Sequence, residues 1–331
     1  MSEERMQRGP AIVALGGGHG LSAILRGLKL YTEDLTAIVT VADDGGGSGT
    51  LREELGMPPP GDIRNCMEAL ADTESLMRQL LAYRFTEGRL KGQAFGNLLL
   101  AALTGVSESF DHAVARMGEV LAITGRILPV TNADVQLEAT FENGTAVLGE
   151  SKIFDFKKQQ NCRIHHVRLL PEHSPALPAA VEAIRRADII LMGPGSLYTS
   201  VIPNLLVDGI SEAIQESKAL KIYVCNIMTQ DGETEGMTAS DHVAALVEHG
   251  AGLVDICLCN SAPIDSEMQE RYSKEDAVPM VIDCEKVAAL GAEVVARPLT
   301  DDDSDYARHS GVKVGQAVLE LYHQRAETKI F

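Results

Sequence analysis

The residues best suited to chemistry in this sequence are grouped in glycine-rich segments. The first group consists of Gly16, Gly17, Gly18, His19 and Gly20. It follows an apolar run at 11–15 and precedes a helical pattern that begins at Leu21. Glycine lets a backbone approach a ligand closely, and unpaired amides at a helix N-terminus attract anions. The group predicts a phosphate-binding turn, although a tight strand-to-helix turn without a ligand has the same pattern.

A pair of acids follows the second apolar run, at 35–42. Asp43 and Asp44 precede four clustered glycines, and Arg52 lies shortly after them. An acid at the end of the second strand of a nucleotide-binding sheet binds a ribose hydroxyl or a metal ion. The pair therefore predicts one of these contacts, with Asp43 as the metal ligand if a metal binds. In the alternative, both aspartates only cap the next helix.

A third group combines glycine with hydroxyl side chains after the apolar run at 188–192. It contains Gly193, Gly195, Ser196, Thr199 and Ser200. Backbone amides and hydroxyls of this kind bind phosphate oxygens, although a capped helix start is the ordinary alternative. Asn226 begins a polar loop after the run at 221–225, at the same predicted sheet edge.

Three further polar residues have two equally good interpretations. Asn97 either caps an apolar helix or directs its amide at a ligand. Asp62 and Arg64 follow a proline-rich turn at 58–61. Each belongs either to a site or to an ordinary helix start, as an N-cap and a surface charge respectively.

The elements that must position these groups follow from the apolar pattern. Short apolar runs alternate with amphipathic helical segments, and residues 62–121 are almost wholly helical in pattern. This predicts an α/β fold, a Rossmann-like variant with a mainly parallel sheet and helices on both faces. Six strands are predicted, at 11–15, 35–42, 188–192, 221–225, 253–259 and 278–282. Four further helices are predicted, at 21–30, 178–187, 208–217 and 240–249.

Residues 131–170 break the alternation of strands and helices. Two segments with a period of two, 134–141 and 145–153, flank Asn143-Gly144. Asn-Gly is typical of a type I′ turn, so we expect an antiparallel hairpin insertion. We divide the chain into a tail at 1–10 and a single nucleotide-binding domain at 11–325.

Composition excludes several classes of protein. The chain has 331 residues and a formal net charge of −18, which argues against a nucleic-acid-binding surface or docking on anionic lipids. No segment is long and apolar enough to insert into a membrane. The six cysteines contain no CxxC pair and several lie in apolar runs. We expect reduced, buried cysteines without disulfides or a zinc site, in a cytoplasmic protein.

In this order, the motifs resemble those of the bacterial gluconeogenesis factors, within the CofD-like superfamily that includes the 2-phospho-L-lactate transferases. The motifs are 16–22, 40–46, 58–65, 96–101, 193–200 and 226–235, and the resemblance covers about 12–309. It implies a Rossmann-like variant that binds a nucleotide at the carboxyl ends of the strands. It also implies a UDP-sugar ligand, UDP-N-acetylglucosamine or UDP-glucose, contacted by Tyr272 and Arg308.

For function, the resemblance implies a regulatory protein of cell morphogenesis and cell-wall homeostasis under gluconeogenic growth, without established catalysis. We expect binding without turnover, because no lysine lies in the three glycine-rich turns and Arg52 and Arg64 are the nearby bases. No catalytic residue is assigned, no cofactor is certain, and a homo-oligomer is compatible with the sequence. Two alternatives stay open: a Mg²⁺-dependent phosphoryl-type transferase acting on a nucleotide-activated substrate, and an NAD-binding protein.

Overall fold

A computed structural model describes residues 9–72, 75–250, 252–301 and 304–328. Residues 1–8 of the predicted tail lie outside this part of the chain. The strands are β1 (Ile12–Gly16), β2 (Leu35–Val39), β3 (Arg126–Pro129), β4 (Gln136–Phe141), β5 (Ala146–Leu148), β6 (Ile164–Leu170), β7 (Ile189–Met192), β8 (Leu220–Val224), β9 (Ile256–Asn260) and β10 (Glu293–Arg297).

Helices connect the strands of the main sheet and fill its two faces. They are α1 (Gly18–Leu28), α2 (Gly46–Leu55), α3 (Gly61–Leu70), α4 (Ser75–Ala82), α5 (Phe95–Gly105), α6 (Phe110–Val120), α7 (Glu150–Gln160), α8 (Pro178–Arg186), α9 (Ile202–Leu205), α10 (Ile210–Glu216), α11 (Ala239–Glu248), α12 (Ser266–Ser273), α13 (Cys284–Ala289) and α14 (Gly311–Thr328). A turn of π-helix, Leu197–Val201, precedes α9. No described helix is both long and apolar enough to cross a bilayer.

Seven strands form one parallel sheet in the order β10-β9-β8-β7-β1-β2-β3. Every residue of β1, β2, β7 and β8 is buried, as expected for strands covered by helices on both faces. The fold prediction is therefore confirmed. Strands β2 and β3 follow β1 on one side of the sheet, and β8, β9 and β10 follow β7 on the other side. The strand order therefore reverses between the two central strands, β1 and β7. In open α/β sheets, ligands bind in the crevice that such a reversal opens.

The prediction of a sixth strand at 278–282 was wrong. Residues 278–282 form only isolated bridges, including Met228–Pro279 and Thr238–Val281, because Pro279 has no amide to donate to a sheet ladder. The sheet instead includes β3 and β10, which the sequence analysis missed. Both lie at sheet edges and are only partly buried, so they lack the continuous apolar pattern that marks the central strands.

The insertion contains the expected antiparallel sheet, in the order β5-β4-β6. The predicted strand at 145–153 was too long: β5 ends at Leu148, and α7 begins at Glu150. The type I′ turn was also wrong. Gly144 has a φ of +81° whereas Asn143 keeps a negative φ, and the Phe141 amide donates to Thr145 O at 2.9 Å. The turn is therefore a three-residue loop with one left-handed glycine.

Candidate functional site

A cavity of about 750 Å³ opens at the carboxyl ends of β1 and β7, where the strand order reverses. The turn between β1 and α1 and the turn after β7 form its floor. The insertion contributes a wall through α7, and the segment that follows β10 contributes Arg308 at the mouth. A volume of this size is within the range of small-molecule binding sites.

The N-terminus of α1 faces this cavity with few of its amides engaged. Gly17 precedes the helix in an extended conformation and provides no side-chain cap. Of the first three amides of the helix, the one with an acceptor among the described residues is that of Gly18, which donates to the Asp62 carboxylate. The amides of His19 and Gly20 have no hydrogen-bond acceptor in the described part of the chain. These two amides and the helix dipole form a site suited to an anion.

The turn after β7 differs, because the protein itself occupies most of its amides. The buried Glu233 carboxylate accepts the backbone amides of Leu197, Tyr198 and Thr199 at 3.2, 2.9 and 3.1 Å. Burial raises the pKa of Glu233 to about 7, against the effect of the three amides. The helix start at 197–201 therefore lacks open amides for a ligand.

Side-chain hydrogen bonds also hold the turn after β7 in place. The Asn226 amide exchanges two hydrogen bonds with the backbone of Gly195, at 3.1 and 2.9 Å. The Ser196 hydroxyl donates to Gln230 at 2.9 Å. The turn is packed tightly against α1, since a Cβ on Gly20 would lie 2.7 Å from the Pro194 carbonyl carbon. This close approach requires glycine at position 20.

Five carboxylates line the cavity: Asp43, Asp62, Glu150, Asp231 and Glu275. The first three lie close enough for their charges to act on one another, whereas Asp231 pairs with Lys158. Burial, and then the charge of Asp43, raises the pKa of Asp62 to about 7. Burial also raises the pKa of Glu150, followed by the charges of Asp43 and Asp62. Asp44, in contrast, lies outside the cavity lining and accepts the Ser151 amide at 2.9 Å, at the start of α7.

Arg308 and Lys158 are the arginine and lysine of the cavity lining. The Arg308 guanidinium lies 5.0 Å from the centroid of the Tyr306 ring. The Tyr272 hydroxyl accepts the Ala307 amide at 3.2 Å, which fixes Tyr272 beside Arg308. Burial, and then the charge of Arg308, lowers the pKa of His19, so this imidazole is neutral near pH 7. Lys158 donates to Asp231 at 2.6 Å.

Arg52 and Arg64 do not line the cavity, so the expectation that they are its basic groups was wrong. Arg52 bonds to Asp134 and donates to Val135 O at 2.6 Å. Arg64 pairs with Glu68, and its Nε donates to Asn97 Oδ1 at 3.0 Å. Asn97 is thus a buried partner of Arg64 rather than part of the cavity wall.

The structure brings most of the predicted site residues together. Those that line the cavity are Gly17, Gly18, His19, Gly20, Asp43, Gly195, Ser196, Ser200, Asn226, Tyr272 and Arg308. Those outside its lining are Gly16, Asp44, Asn97, Gly193 and Thr199.

Sequence reasoning missed the contribution of α7, because residues 149–153 were assigned to a strand. The helical spacing of Glu150, Phe154 and Lys158 was the available signal, since residues four apart share a helix face.

Comparisons with known proteins agree with this architecture. The 2-phospho-L-lactate transferase CofD family matches residues 12–300. A putative gluconeogenesis factor of Thermoanaerobacterium thermosulfurigenes is 50% identical, over 95% of this chain and 97% of its own. The gluconeogenesis factor of Bacillus subtilis is 48% identical, over 96% and 99%. A crystal structure of a UPF0052 family member from Bacillus halodurans superposes with a TM-score of 0.90 at 47% identity, covering 93% of this chain and 99% of that one.

Proposed function

The chain belongs to the 2-phospho-L-lactate transferase CofD family, among its gluconeogenesis factors, and on that premise we propose that it binds a UDP-sugar as a regulatory ligand. The ligand is UDP-N-acetylglucosamine or UDP-glucose. The bound protein acts in cell morphogenesis and cell-wall homeostasis under gluconeogenic growth.

The observation that carries the proposal is the open N-terminus of α1 at the floor of the cavity. Two unengaged amides, those of His19 and Gly20, meet a cavity with Arg308 at its mouth. A diphosphate is a dianion that accepts hydrogen bonds from amides and from guanidinium groups. The location also matches the general rule for ligands of open α/β sheets.

The three carboxylates set a condition on diphosphate binding. An anion beside Asp43, Asp62 and Glu150 is repelled unless these groups are protonated or a cation is present. The donor set fits Mg²⁺, which prefers carboxylate oxygens, and burial of Asp62 and Glu150 makes their negative charges costly without a cation. Asp43 and Asp62 would hold the ion, which would neutralise charge on the diphosphate.

Calorimetry with a panel of ligands tests the proposal. The chain is titrated with UDP-N-acetylglucosamine, UDP-glucose, GDP and NAD, each with and without Mg²⁺. We expect a UDP-sugar to bind most tightly and Mg²⁺ to strengthen its binding. Equal or tighter binding of NAD would contradict the proposal and favour the NAD-binding alternative.

Two variants locate the ligand within the cavity. Arg308→Ala and Tyr272→Ala should each weaken UDP-sugar binding by about 1–3 kcal/mol, the usual cost of a lost contact to a charged group. Arg271→Ala is a control for the loss of a positive charge close to the site, because Arg271 lies on α12 next to Tyr272 but outside the cavity lining. Unchanged affinity in both cavity variants would place the ligand elsewhere.

The cellular part of the proposal needs a separate test. A strain that lacks this gene is complemented with the wild-type chain or with Arg308→Ala, on glycolytic and on gluconeogenic carbon sources. We expect loss of normal cell shape only on the gluconeogenic source, with rescue by the wild type. Full rescue by a variant that no longer binds UDP-sugar would separate binding from the cellular role.

A Mg²⁺-dependent phosphoryl-type transferase is the second candidate function, and the Asp43, Asp62 and Glu150 carboxylates favour it. Their donor set is suited to a metal that transferases require for charge neutralisation. The chain is incubated with UDP-sugars and Mg²⁺, and chromatography measures UDP, UMP and sugar phosphate. Product in excess over protein that disappears in Asp43→Asn would favour the transferase. Binding without product favours the regulatory ligand.

A further inference from the structure

Three buried sulfur atoms lie together near the carboxyl ends of β8 and β9, outside the lining of the main cavity. Cys225 directly follows β8, and Cys257 and Cys259 share one face of β9 because they are two residues apart. The three Sγ atoms all lie within 4.8 Å of one another, and those of Cys257 and Cys259 are 3.6 Å apart. The sequence hides this cluster, because the spacing contains no CxxC pair and β-sheet pairing brings Cys225 to the other two.

The cluster lies within the apolar core of the protein. At most 1% of each of the three cysteines is exposed to solvent. A thiolate in such surroundings is costly unless a cation neutralises it.

We propose that Cys225, Cys257 and Cys259 form a binding site for a thiophilic d10 metal ion, Zn(II) or Cu(I). Thiolates select ions of this kind over hard cations such as Mg²⁺. Metal–sulfur bonds of about 2.3 Å place three sulfurs around one ion about 4 Å apart, which fits the spacing of this cluster.

A small adjoining cavity of about 190 Å³ provides the remaining coordination position and a route of entry. Cys259 lines it, and Asn226 and Ile227 line both this cavity and the main one. Zn(II) needs a fourth ligand, and the small cavity has room for a water molecule in that role. Three thiolates leave one net negative charge around Zn(II) and two around Cu(I), so the buried location favours Zn(II).

Cadmium titration of the reduced, metal-free chain tests the site. Cd(II) should bind one equivalent with a thiolate-to-metal charge-transfer band and with release of protons. Competition by Zn(II) and by Cu(I) then identifies the tighter ion. Cys257→Ser and Cys225→Ser should each weaken binding by at least about 10–100-fold, the loss caused by removing even an outer-shell partner. A control chain that combines Cys66→Ser, Cys162→Ser and Cys284→Ser keeps only the three cysteines of the cluster and should bind like the wild type.

Two results would overturn the proposal. In the first, Cys257→Ser keeps the charge-transfer band and the Cd(II) affinity of the wild type. In the second, the control chain loses the band and the affinity. If the cluster variants do not fold, X-ray absorption of zinc-loaded wild-type protein decides. Three sulfur neighbours at about 2.3 Å are expected, and an inner shell of nitrogen and oxygen alone would refute the site. These readouts do not depend on UDP-sugar binding.

Discussion

Two glycine-rich turns face each other across the strand reversal, and they differ in how many of their amides the protein itself engages. At the N-terminus of α1, the carboxylate of Asp62 engages one amide and leaves those of His19 and Gly20 without an acceptor. At the turn after β7, the carboxylate of Glu233 engages three. Both turns follow buried central strands, and both have the composition of an anion site.

The difference shows that glycine content and position at a sheet edge do not by themselves make an anion site. An internal carboxylate at a helix start satisfies the amides and opposes the approach of another anion. The turn after β7 therefore acts as a rigid wall against which α1 packs. The α1 turn is the better candidate for the diphosphate. Substitutions at four positions, each with a control, test this contrast.

Removal of the internal carboxylate should have the largest effect. Glu233→Ala leaves three amides without their acceptor in a buried turn, which should lower the free energy of unfolding by about 4–6 kcal/mol. Glu233→Gln keeps an acceptor and should stay within about 2 kcal/mol of the wild type. Chemical denaturation of both variants measures the difference. If Glu233→Ala is as stable as Glu233→Gln, the three hydrogen bonds do not hold this turn.

Substitution of Asp62 should change the free energy of unfolding in the opposite direction, by an amount that depends on pH. Its folded-state pKa of about 7 lies above the ordinary value of 3.8, so its contribution to stability is lost as pH rises through about 7. Asp62→Asn should therefore raise the free energy of unfolding by about 2–4 kcal/mol at pH 8 and change it little at pH 4. Denaturation at both pH values provides the internal control. A gain that is independent of pH would contradict burial of an ionisable carboxyl.

The contact between the two turns should be sensitive to a single methyl group. Gly20→Ala places a Cβ against the Pro194 carbonyl and should cost about 1–3 kcal/mol of stability, as overpacking does. It should also weaken UDP-sugar binding, because α1 must move away from the cavity floor. Gly105→Ala adds the same methyl group where the structure has open space and serves as the control. Equal melting temperatures for the two variants would mean that the turns are not in tight contact.

The smallest expected effect concerns the aromatic support of Arg308. Tyr306→Ala removes the ring beneath the guanidinium and should weaken UDP-sugar binding about two- to fivefold, the range of an exposed cation–π contact. Tyr306→Phe keeps the ring and should bind like the wild type. Calorimetry of the two variants checks the difference. Similar weakening in both would assign the effect to the hydroxyl group instead.

The pattern of apolar and polar residues along the chain was sufficient to predict much of the fold. Central strands such as β1 and β7 are continuously apolar because helices cover both faces, and that property is visible in the sequence. The edge strands β3 and β10 lack it and were missed. The boundary between β5 and α7 was also missed, because residues 145–153 fit a period of two until tertiary packing against the cavity selects the helix.

The sequence by itself determined the parallel sheet, the two glycine-rich turns at its carboxyl edge and the acid at position 43, because these depend on neighbours along the chain. Only the tertiary structure decided which amides are open. Glu233 lies 35 residues beyond Tyr198, and no local pattern joins them. The same holds for Arg64, which long-range packing pairs with Asn97, and for Cys225, which strand pairing brings to Cys257 and Cys259. Two groups form a hydrogen bond or bind one metal ion only when they are close in space. For residues far apart along the chain, folding alone brings them close.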